Sequence, residues 1–123
     1  MNNYSKQRET ILKVLRGTDI HPTANWIYEK VKEEIPNISL GTVYRNLSAL
    51  SKAGEILRLN MDDGFEHFDG NISLHLHLNC KKCGKIYDVN INNDIISEIS
   101  APNGFDTENS IYLGYGICKN CKI

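Results

Sequence analysis

Residues 69–88 read DGNISLHLHLNCKKCGKIYD, and this stretch holds two of the four histidines and two of the four cysteines of the chain. His75 and His77 are two residues apart in an apolar segment that predicts a strand over 74–79. Side chains two apart on a strand point to the same face, so both imidazoles should lie close together. A single histidine here would most simply be structural. Two on one face, with Asp69 before them and Asp88 after them, indicate a metal site.

The four cysteines form two Cys-x-x-Cys pairs, Cys80 with Cys83 and Cys118 with Cys121. Paired motifs of this kind are a strong signal for a tetrahedral, structural Zn²⁺ held by four thiolates. Free thiols or a redox dithiol are the alternatives. The segment between the pairs is long enough for a small subdomain, with strands over 85–89, 104–108 and 110–116 and a helix over 93–101. Strand pairing should bring the two pairs together, and zinc would stabilise a core too small to hold alone.

The N-terminal half predicts three short helices followed by a hairpin. Ser5, Thr23 and Ser39 are the expected N-caps, and the helices should end near Arg16, Pro36 and Gly54. The third helix has a buried stripe at helical spacing, formed by Leu40, Val43, Leu47 and Leu50. Two strands, 55–60 and 65–69, flank an Asp63-Gly64 turn. This order of elements predicts a winged helix-turn-helix.

The outward face of the third helix indicates DNA binding. Arg45 projects almost opposite the buried stripe, and a small, polar, cationic face fits a major groove, where Arg takes a guanine edge. An ordinary solvated helix face is the alternative, but the hairpin that follows favours DNA. The expected DNA-binding residues are Ser39, Gly41, Thr42, Tyr44, Arg45, Lys52 and Arg58 of the hairpin, with Arg58 or Lys52 at the phosphates.

Composition and charge agree with two modules. The net charge is -1, with 41% hydrophobic and 24% charged residues. Residues 1–62 carry nine Lys and Arg against seven Asp and Glu, whereas residues 63–123 carry five against eight, so the two halves differ in the sign of their net charge. We find no apolar run of the roughly 18 residues that would span a bilayer and no apolar signal core at the N-terminus, which predicts a cytoplasmic protein without a membrane partner. In that compartment four cysteines favour metal binding over disulfides.

The segments HPTANWIY, ISLGTVYRNL, HFDG, HLHLNCKKCGKIYDV and YGICKNC resemble the ferric uptake regulator (Fur) family of bacterial metal-dependent repressors. They cover nearly the whole chain in the family's order, and they look most like the peroxide-stress repressors. The fold class is therefore α+β, with a winged-helix DNA-binding domain over 1–69, a hinge over 70–74, and a small α/β dimerisation and metal-binding domain over 75–123. That second domain is expected to have an antiparallel sheet and the four-cysteine zinc site.

The resemblance implies a homodimer on double-stranded operator DNA, with one structural Zn²⁺ and one regulatory metal per subunit. The implied regulatory ligands are His21, Asp69, His75, His77 and Asp88. Such a nitrogen and oxygen donor set suits Fe²⁺ or Mn²⁺. In peroxide sensors of the family, bound iron reacts with hydrogen peroxide, a ligand histidine is oxidised and the repressor leaves its operator. The corresponding oxidation-sensitive residues are His21 and His75.

Two details bear on the subtype. Asp69 and Asp88 are both aspartates, whereas iron-responsive relatives tend to carry glutamate at one or both positions, and this favours the peroxide sensor. Arg45 looks more like the iron type. His67 has no assignment; an exposed wing residue is the simpler expectation and a minor ligand role the other.

Three alternatives remain. The first is an iron- or zinc-responsive repressor of the same fold. The second is a metalloenzyme that uses His75, His77 and a carboxylate as a facial triad. Five protein ligands leave little room for a substrate, so we expect no enzyme and no small molecule beyond peroxide as the signal. The third is a zinc-ribbon interaction module, which leaves His21 and the winged helix unexplained.

Overall fold

The computed structural model describes residues 3–61, 63–73, 75–107 and 110–122. The chain divides into two compact units, unit 1 over residues 1–72 and unit 2 over residues 73–123. The division falls inside the segment 70–74 that the sequence assigns to a hinge. The hinge itself and the domain bounds stay predictions.

Unit 1 is a three-helix domain closed by a hairpin. Its elements are α1 (Asn3–Arg16), α2 (Ala24–Val31), α3 (Leu40–Lys52), β1 (Leu57–Asn60) and β2 (Glu66–Asp69). The two strands pair antiparallel, with Leu57 opposite Asp69, and Gly64 of the turn adopts a left-handed φ of 82°. The apolar stripes of the helices and Phe68 of β2 form one core. Unit 1 is thus the winged helix-turn-helix that the sequence predicts.

The helix ends agree with the sequence in part. Thr23 and Ser39 cap α2 and α3 by accepting from Trp26 N and Thr42 N. The prediction for Ser5 was wrong, because α1 begins at Asn3 and includes Ser5. An added contact supports this first turn, since the Arg8 guanidinium stacks over the Tyr4 ring at 4.2 Å.

The predicted end of α2 near Pro36 was also wrong, since the helix stops at Val31. The chain tightens there: Glu34 N–H donates to Val31 O at 3.0 Å, which is the spacing of a 3₁₀ turn. Proline disfavours helical backbone at the residue before it, so Ile35 cannot easily continue the helix. Leu40 of the predicted buried stripe is only half-buried, whereas Val43, Leu47 and Leu50 are fully buried.

Unit 2 is a three-stranded sheet with one helix. Its elements are β3 (His75–Cys80), β4 (Ile86–Asn90), α4 (Asn93–Ser100), a short 3₁₀ turn (Ala101–Asn103) and β5 (Tyr112–Gly116). The strand order is β4-β3-β5. β3 pairs antiparallel with β4 but parallel with β5. The sheet is therefore mixed rather than wholly antiparallel, because the chain crosses back through α4 before β5 begins.

The strand predicted over 104–108 is absent from residues 104–107; Glu108 lies outside the described residues. The local backbone instead closes the preceding helical turn. Gly104 has a left-handed φ of 65°, and the amides of Gly104 and Phe105 donate to Ala101 O and Ser100 O. Those amides cap a helix end and cannot serve a strand ladder.

Within the described residues, no helix combines the length and apolarity needed to cross a membrane.

Candidate metal centres and DNA-binding face

The four cysteines of unit 2 form one cluster. One sulfur from each of Cys80, Cys83, Cys118 and Cys121 lies within 4.8 Å of all the others, and Cys83 Sγ is 3.8 Å from Cys118 Sγ. A tetrahedron of sulfurs about 2.3 Å from a zinc ion has edges of about 3.8 Å. The donor set and its spacing therefore fit a four-thiolate Zn²⁺ site.

The parallel pairing of β3 and β5 explains how the cluster forms. Cys80 lies opposite Gly116 at the shared carboxyl end of the two strands, and each Cys-x-x-Cys turn follows directly. Lys81 N–H donates to Gly116 O at 2.7 Å, which joins the turns. Buried Asn79 supports the first turn by donating to Gly84 O at 3.0 Å. Asn79 was not predicted from the sequence, because a lone asparagine before a cysteine carries no signal of its own.

Hydrogen bonds from backbone amides favour the thiolate form of Cys80, which is the form that binds a metal ion. The amides of Cys83 and Cys118 donate to Cys80 Sγ at 3.5 and 3.3 Å, and they lower the pKa of Cys80 to about 5. The hydrogen bond with Cys118 raises the pKa of Cys121 to about 12, so a proton is retained among the thiols. Zn²⁺ displaces such protons when it binds. The Tyr87 hydroxyl also interacts with Cys118, which raises the pKa of Tyr87 to about 12.

A second group in unit 2 consists of His75, His77 and Asp88. Both histidines are buried, and their ring centroids are 4.1 Å apart, as expected for one strand face. Asp88 lies opposite His77 on β4, and its Oδ1 is 3.3 Å from His75 Nε2 and 3.6 Å from His77 Nε2. His75 Nδ1–H donates to Ser73 O at 2.5 Å. That bond turns Nε2 toward the carboxylate, as in metal-binding histidines.

Unit 1 holds a matching pair, His21 and Asp69. Both side chains are nearly inaccessible, and His21 Nε2 is 3.2 Å from Asp69 Oδ2. Asn71 N–H donates to the other oxygen, Asp69 Oδ1, at 2.9 Å, so the carboxylate is held in one orientation. His21 has a left-handed φ of 56°, the one such non-glycine residue in the part of the chain that is described. A buried imidazole and a fixed carboxylate suit a divalent cation.

His67 is not an exposed residue of the hairpin, and its ring nitrogens contact neither the His21 imidazole nor the Asp69 carboxylate. It is half-buried, its Nδ1–H donates to His21 O at 2.6 Å, and its Nε2 lies 2.8 Å from Asp63 Oδ2. Burial acts to raise the pKa of Asp63. The hydrogen bonds with the Phe65 amide and with His67 outweigh that effect and hold the pKa below its usual value. His67 therefore has two definite partners, His21 O and Asp63 Oδ2, that the sequence pattern did not predict.

The face of α3 is arranged as an ordered polar surface. Arg45 is exposed and donates through Nη2 to Thr42 Oγ1 at 3.0 Å; Thr42 Oγ1 is 2.9 Å from Ser39 Oγ. Gly41, Tyr44 and Lys52 are exposed on the same helix. Asn46 is buried on the opposite side, where it accepts from Arg8 Nε at 3.3 Å.

Arg58 is already engaged within unit 1. Its Nε lies 2.5 Å from Glu66 Oε2, and its Nη2 donates to Ser48 Oγ at 3.2 Å. The half-buried guanidinium thus ties the hairpin to α3. A phosphate contact by Arg58 would have to share the group with Glu66.

Comparison with known proteins places this architecture. A sequence model of the ferric uptake regulator family matches residues 2–112. The chain belongs to the ferric uptake regulator family. As a member of this family, the chain is a metal-responsive regulator rather than an enzyme.

Individual relatives are similar over most of their length. The peroxide-responsive repressor PerR of Staphylococcus epidermidis is 36% identical over 118 residues, which are 94% of this chain and 79% of that protein. The structure of the Campylobacter jejuni peroxide stress regulator superposes with a TM-score of 0.83 at 30% identity, covering 96% of this chain and 90% of that one. The Helicobacter pylori ferric uptake regulator gives a TM-score of 0.82 at 25% identity, covering 99% and 86%.

Proposed function

We propose that this Fur-family regulator is a peroxide-sensing repressor that binds operator DNA when Fe²⁺ or Mn²⁺ is bound. The observation that carries the proposal is a histidine–aspartate group in each unit: the three histidines and Asp69 are buried, Asp88 is exposed, and both carboxylates come from aspartate. The similarity to proteins named as peroxide-responsive supports the subtype. A cytoplasmic location is part of the proposal, since four reduced cysteines suit that compartment.

The regulatory site in this proposal combines the two groups. His21 and Asp69 of unit 1 would join His75, His77 and Asp88 of unit 2 around one metal per subunit. Three imidazoles and two carboxylates form a nitrogen and oxygen set that suits Fe²⁺ or Mn²⁺ better than thiolate-seeking zinc. Asp69 accepts a hydrogen bond from Asn71 N–H, and His75 donates one to Ser73 O. Both side chains are thereby held in fixed orientations, which lowers the entropic cost of ordering them when a metal binds. Zn²⁺ would occupy the four-cysteine cluster as a structural ion, one per subunit.

Ligands drawn from both units would link metal binding to DNA binding. A metal that needs His21 as well as His77 favours only arrangements of the units in which both can bind it. The separation of the two α3 helices in a dimer must match the spacing of operator half-sites. Metal and DNA affinity are then reciprocally coupled, typically by 5–150-fold.

Peroxide would end repression by damaging a ligand. The chemistry supplied by bound Fe²⁺ is the reduction of hydrogen peroxide, in which one oxygen atom is added to an imidazole carbon and the other leaves as water. His21 and His75 are the proposed targets. An oxidised imidazole binds a metal poorly, so the metal would dissociate. The arrangement of the two units that binds DNA would then no longer be stabilised.

The proposed DNA contacts are made by α3 and the wing. Arg45, oriented by Thr42, would take a guanine edge in the major groove. The remaining proposed contacts are from Ser39, Gly41, Thr42, Tyr44, Lys52 and, with Glu66 as competitor, Arg58.

A homodimer would present two such helices. Unit 2 exposes many large apolar side chains, including Ile95 and Ile99 on α4 and Leu113 and Tyr115 on β5. Exposed apolar side chains that form a contiguous patch are typical of an interaction site. A second copy of the chain is the proposed partner, and sedimentation of the zinc-loaded protein as a monomer at micromolar concentration would contradict it.

The decisive experiment exposes the Fe²⁺-loaded protein to stoichiometric hydrogen peroxide without oxygen. We expect a mass gain of one oxygen on peptides that contain His21 or His75, together with loss of binding to an operator fragment in fluorescence anisotropy. The Mn²⁺-loaded protein is the matched control and should keep both its mass and its DNA affinity. Unmodified histidines and unchanged DNA binding in the iron form would reject the peroxide sensor.

An iron-responsive repressor is the second candidate. Arg45 resembles the iron type, and the Helicobacter pylori ferric uptake regulator has nearly the same TM-score as the peroxide regulator. This candidate predicts metal-dependent DNA binding that hydrogen peroxide does not change. A zinc-responsive repressor would in addition fail to bind DNA when loaded with Mn²⁺. Measuring operator binding of the Fe²⁺ and Mn²⁺ forms, with and without peroxide, therefore separates the peroxide, iron and zinc regulators.

A further inference from the structure

The segment around His21 is fastened to β2 by several contacts within unit 1. Phe68 N–H donates to Pro22 O at 2.9 Å, and Thr23 forms an isolated antiparallel bridge with His67. The His67 side chain adds a third link through its 2.6 Å bond to His21 O. β2 therefore carries both Asp69 and the contacts that position His21.

The His21 backbone needs such support. A non-glycine residue in the left-handed region is strained and keeps that conformation only where its surroundings impose it. The acceptor of the His67 bond is the carbonyl of this same residue. Without the bond, His21 can relax toward extended backbone and carry its imidazole away from Asp69.

Asp63 fixes the other side of His67. A carbonyl oxygen only accepts, so His67 donates through Nδ1–H to His21 O, and its Nε2 lies 2.8 Å from Asp63 Oδ2. Asp63 belongs to the turn between β1 and β2, here called the wing turn, where its Oδ1 also accepts from Phe65 N–H at 2.9 Å. A continuous chain of hydrogen bonds thus runs from the wing turn through His67 to the backbone of His21.

We propose that His67 is a positioning residue that holds His21 in its metal-binding conformation and anchors it to the wing turn through Asp63. This inference rests on the proposed role of His21 as a metal ligand. It makes His67 a supporting group rather than a ligand, since both ring nitrogens are directed at other atoms.

The test is Mn²⁺ affinity of the zinc-loaded protein, measured by calorimetry and by the electron paramagnetic resonance signal of free Mn²⁺. His67→Leu keeps the bulk but removes both ring nitrogens and should weaken Mn²⁺ binding by about tenfold or more, as for other supporting partners of metal ligands. His67→Gln keeps a donor for His21 O and should restore most of the affinity. Equal weakening by both variants, or none by either, overturns the proposal.

A double-mutant cycle separates positioning from a general structural effect. His67→Leu should add nothing to the Mn²⁺ affinity lost in His21→Ala, because His67 acts through the His21 side chain. An equal loss in both backgrounds rejects this route. If His21→Ala alone leaves Mn²⁺ affinity unchanged, the proposed ligand set fails and this inference fails with it.

Hydrogen exchange of the zinc-loaded protein without Fe²⁺ or Mn²⁺ gives a readout that needs neither the regulatory metal nor the leucine variant. Asp63→Asn weakens the anchor while His67 remains, so the Phe68 amide, which donates to Pro22 O, should exchange faster than in the wild type. Unchanged exchange in Asp63→Asn, with zinc content and circular dichroism intact, rejects the anchoring role of Asp63.

Discussion

At the scale of single residues, the partner of each histidine's second nitrogen distinguishes its role. His75 uses Nδ1 on Ser73 O and so presents Nε2 to Asp88. His67 uses both nitrogens on other groups and has none left for a metal. The residue type is the same, and only the neighbours differ.

Gly70 lies close to the backbone of α1. The sequence suggests a hinge glycine, but a Cβ at Gly70 would lie 3.0 Å from Leu15 C and 3.1 Å from Arg16 N, both backbone atoms of α1. Gly70→Ala should therefore destabilise unit 1 by about 1–3 kcal/mol, the usual cost of overpacking. Urea unfolding followed by the fluorescence of Trp26 measures it.

The matched control is Gly41→Ala. The nearest atom to a Cβ at that position is Arg45 Nη1 at 3.5 Å, the end of a flexible side chain, and alanine favours a helix by up to about 1 kcal/mol. Stability should hold or rise. Equal stability of Gly70→Ala and the wild type would show that α1 can move aside.

At the scale of elements, α3 combines a buried stripe with an ordered outer face. Ser39 caps the helix and, with Thr42, holds Arg45 over its first turns. The cap that starts the helix therefore also orients the side chain proposed to read DNA.

Arg45→Ala should lower affinity for an operator fragment by about 5–150-fold, equivalent to the 1–3 kcal/mol of a good base contact. The fold should not change, because Arg45 lies outside the core. Anisotropy titrations at fixed salt, on a fragment selected in vitro with the metal-loaded protein, measure the loss.

Lys13→Ala controls for charge in that comparison, since Lys13 lies on α1 in an exposed ion pair with Glu34 that contributes little to stability. We expect it to keep most of the affinity. Similar losses in both variants would point to general electrostatics rather than to the α3 face.

At the scale of the whole molecule, the two units have unequal cores. Eleven buried residues cluster in unit 1, whereas the buried apolar residues described in unit 2 are Cys80, Ile86 and Ile96. Each buried aliphatic side chain contributes about 1.5–3 kcal/mol. A structural zinc site contributes about 10–16 kcal/mol in small peptides, so the metal should dominate the stability of unit 2.

Cys118→Ser should therefore release zinc and unfold residues 73–123 while residues 1–72 stay folded. Hydrogen exchange with mass spectrometry resolves the two units, and atomic absorption gives the zinc content. His77→Ala is the control, because it leaves all four cysteines in place and should keep both units protected. Protected β3 amides in zinc-free Cys118→Ser would contradict this dependence.

The features that depend on local periodicity and on residue type could be predicted from the sequence alone. Helical spacing, the caps at Thr23 and Ser39 and the Asp63-Gly64 turn predicted the winged helix, and the Cys-x-x-Cys pairs predicted the cysteine cluster. The spacing of His75 and His77 placed both imidazoles on one strand face. These features need only neighbours within a few positions along the chain.

Tertiary structure decided what depends on residues far apart in sequence. The parallel pairing of β5 with β3 sets the two cysteine turns side by side, and no local pattern distinguishes it from antiparallel pairing. The close approach of Gly70 to α1 and the link from Asp63 through His67 to His21 likewise join distant segments. Local pattern thus fixes which groups a chain offers, whereas packing fixes which atoms each group meets.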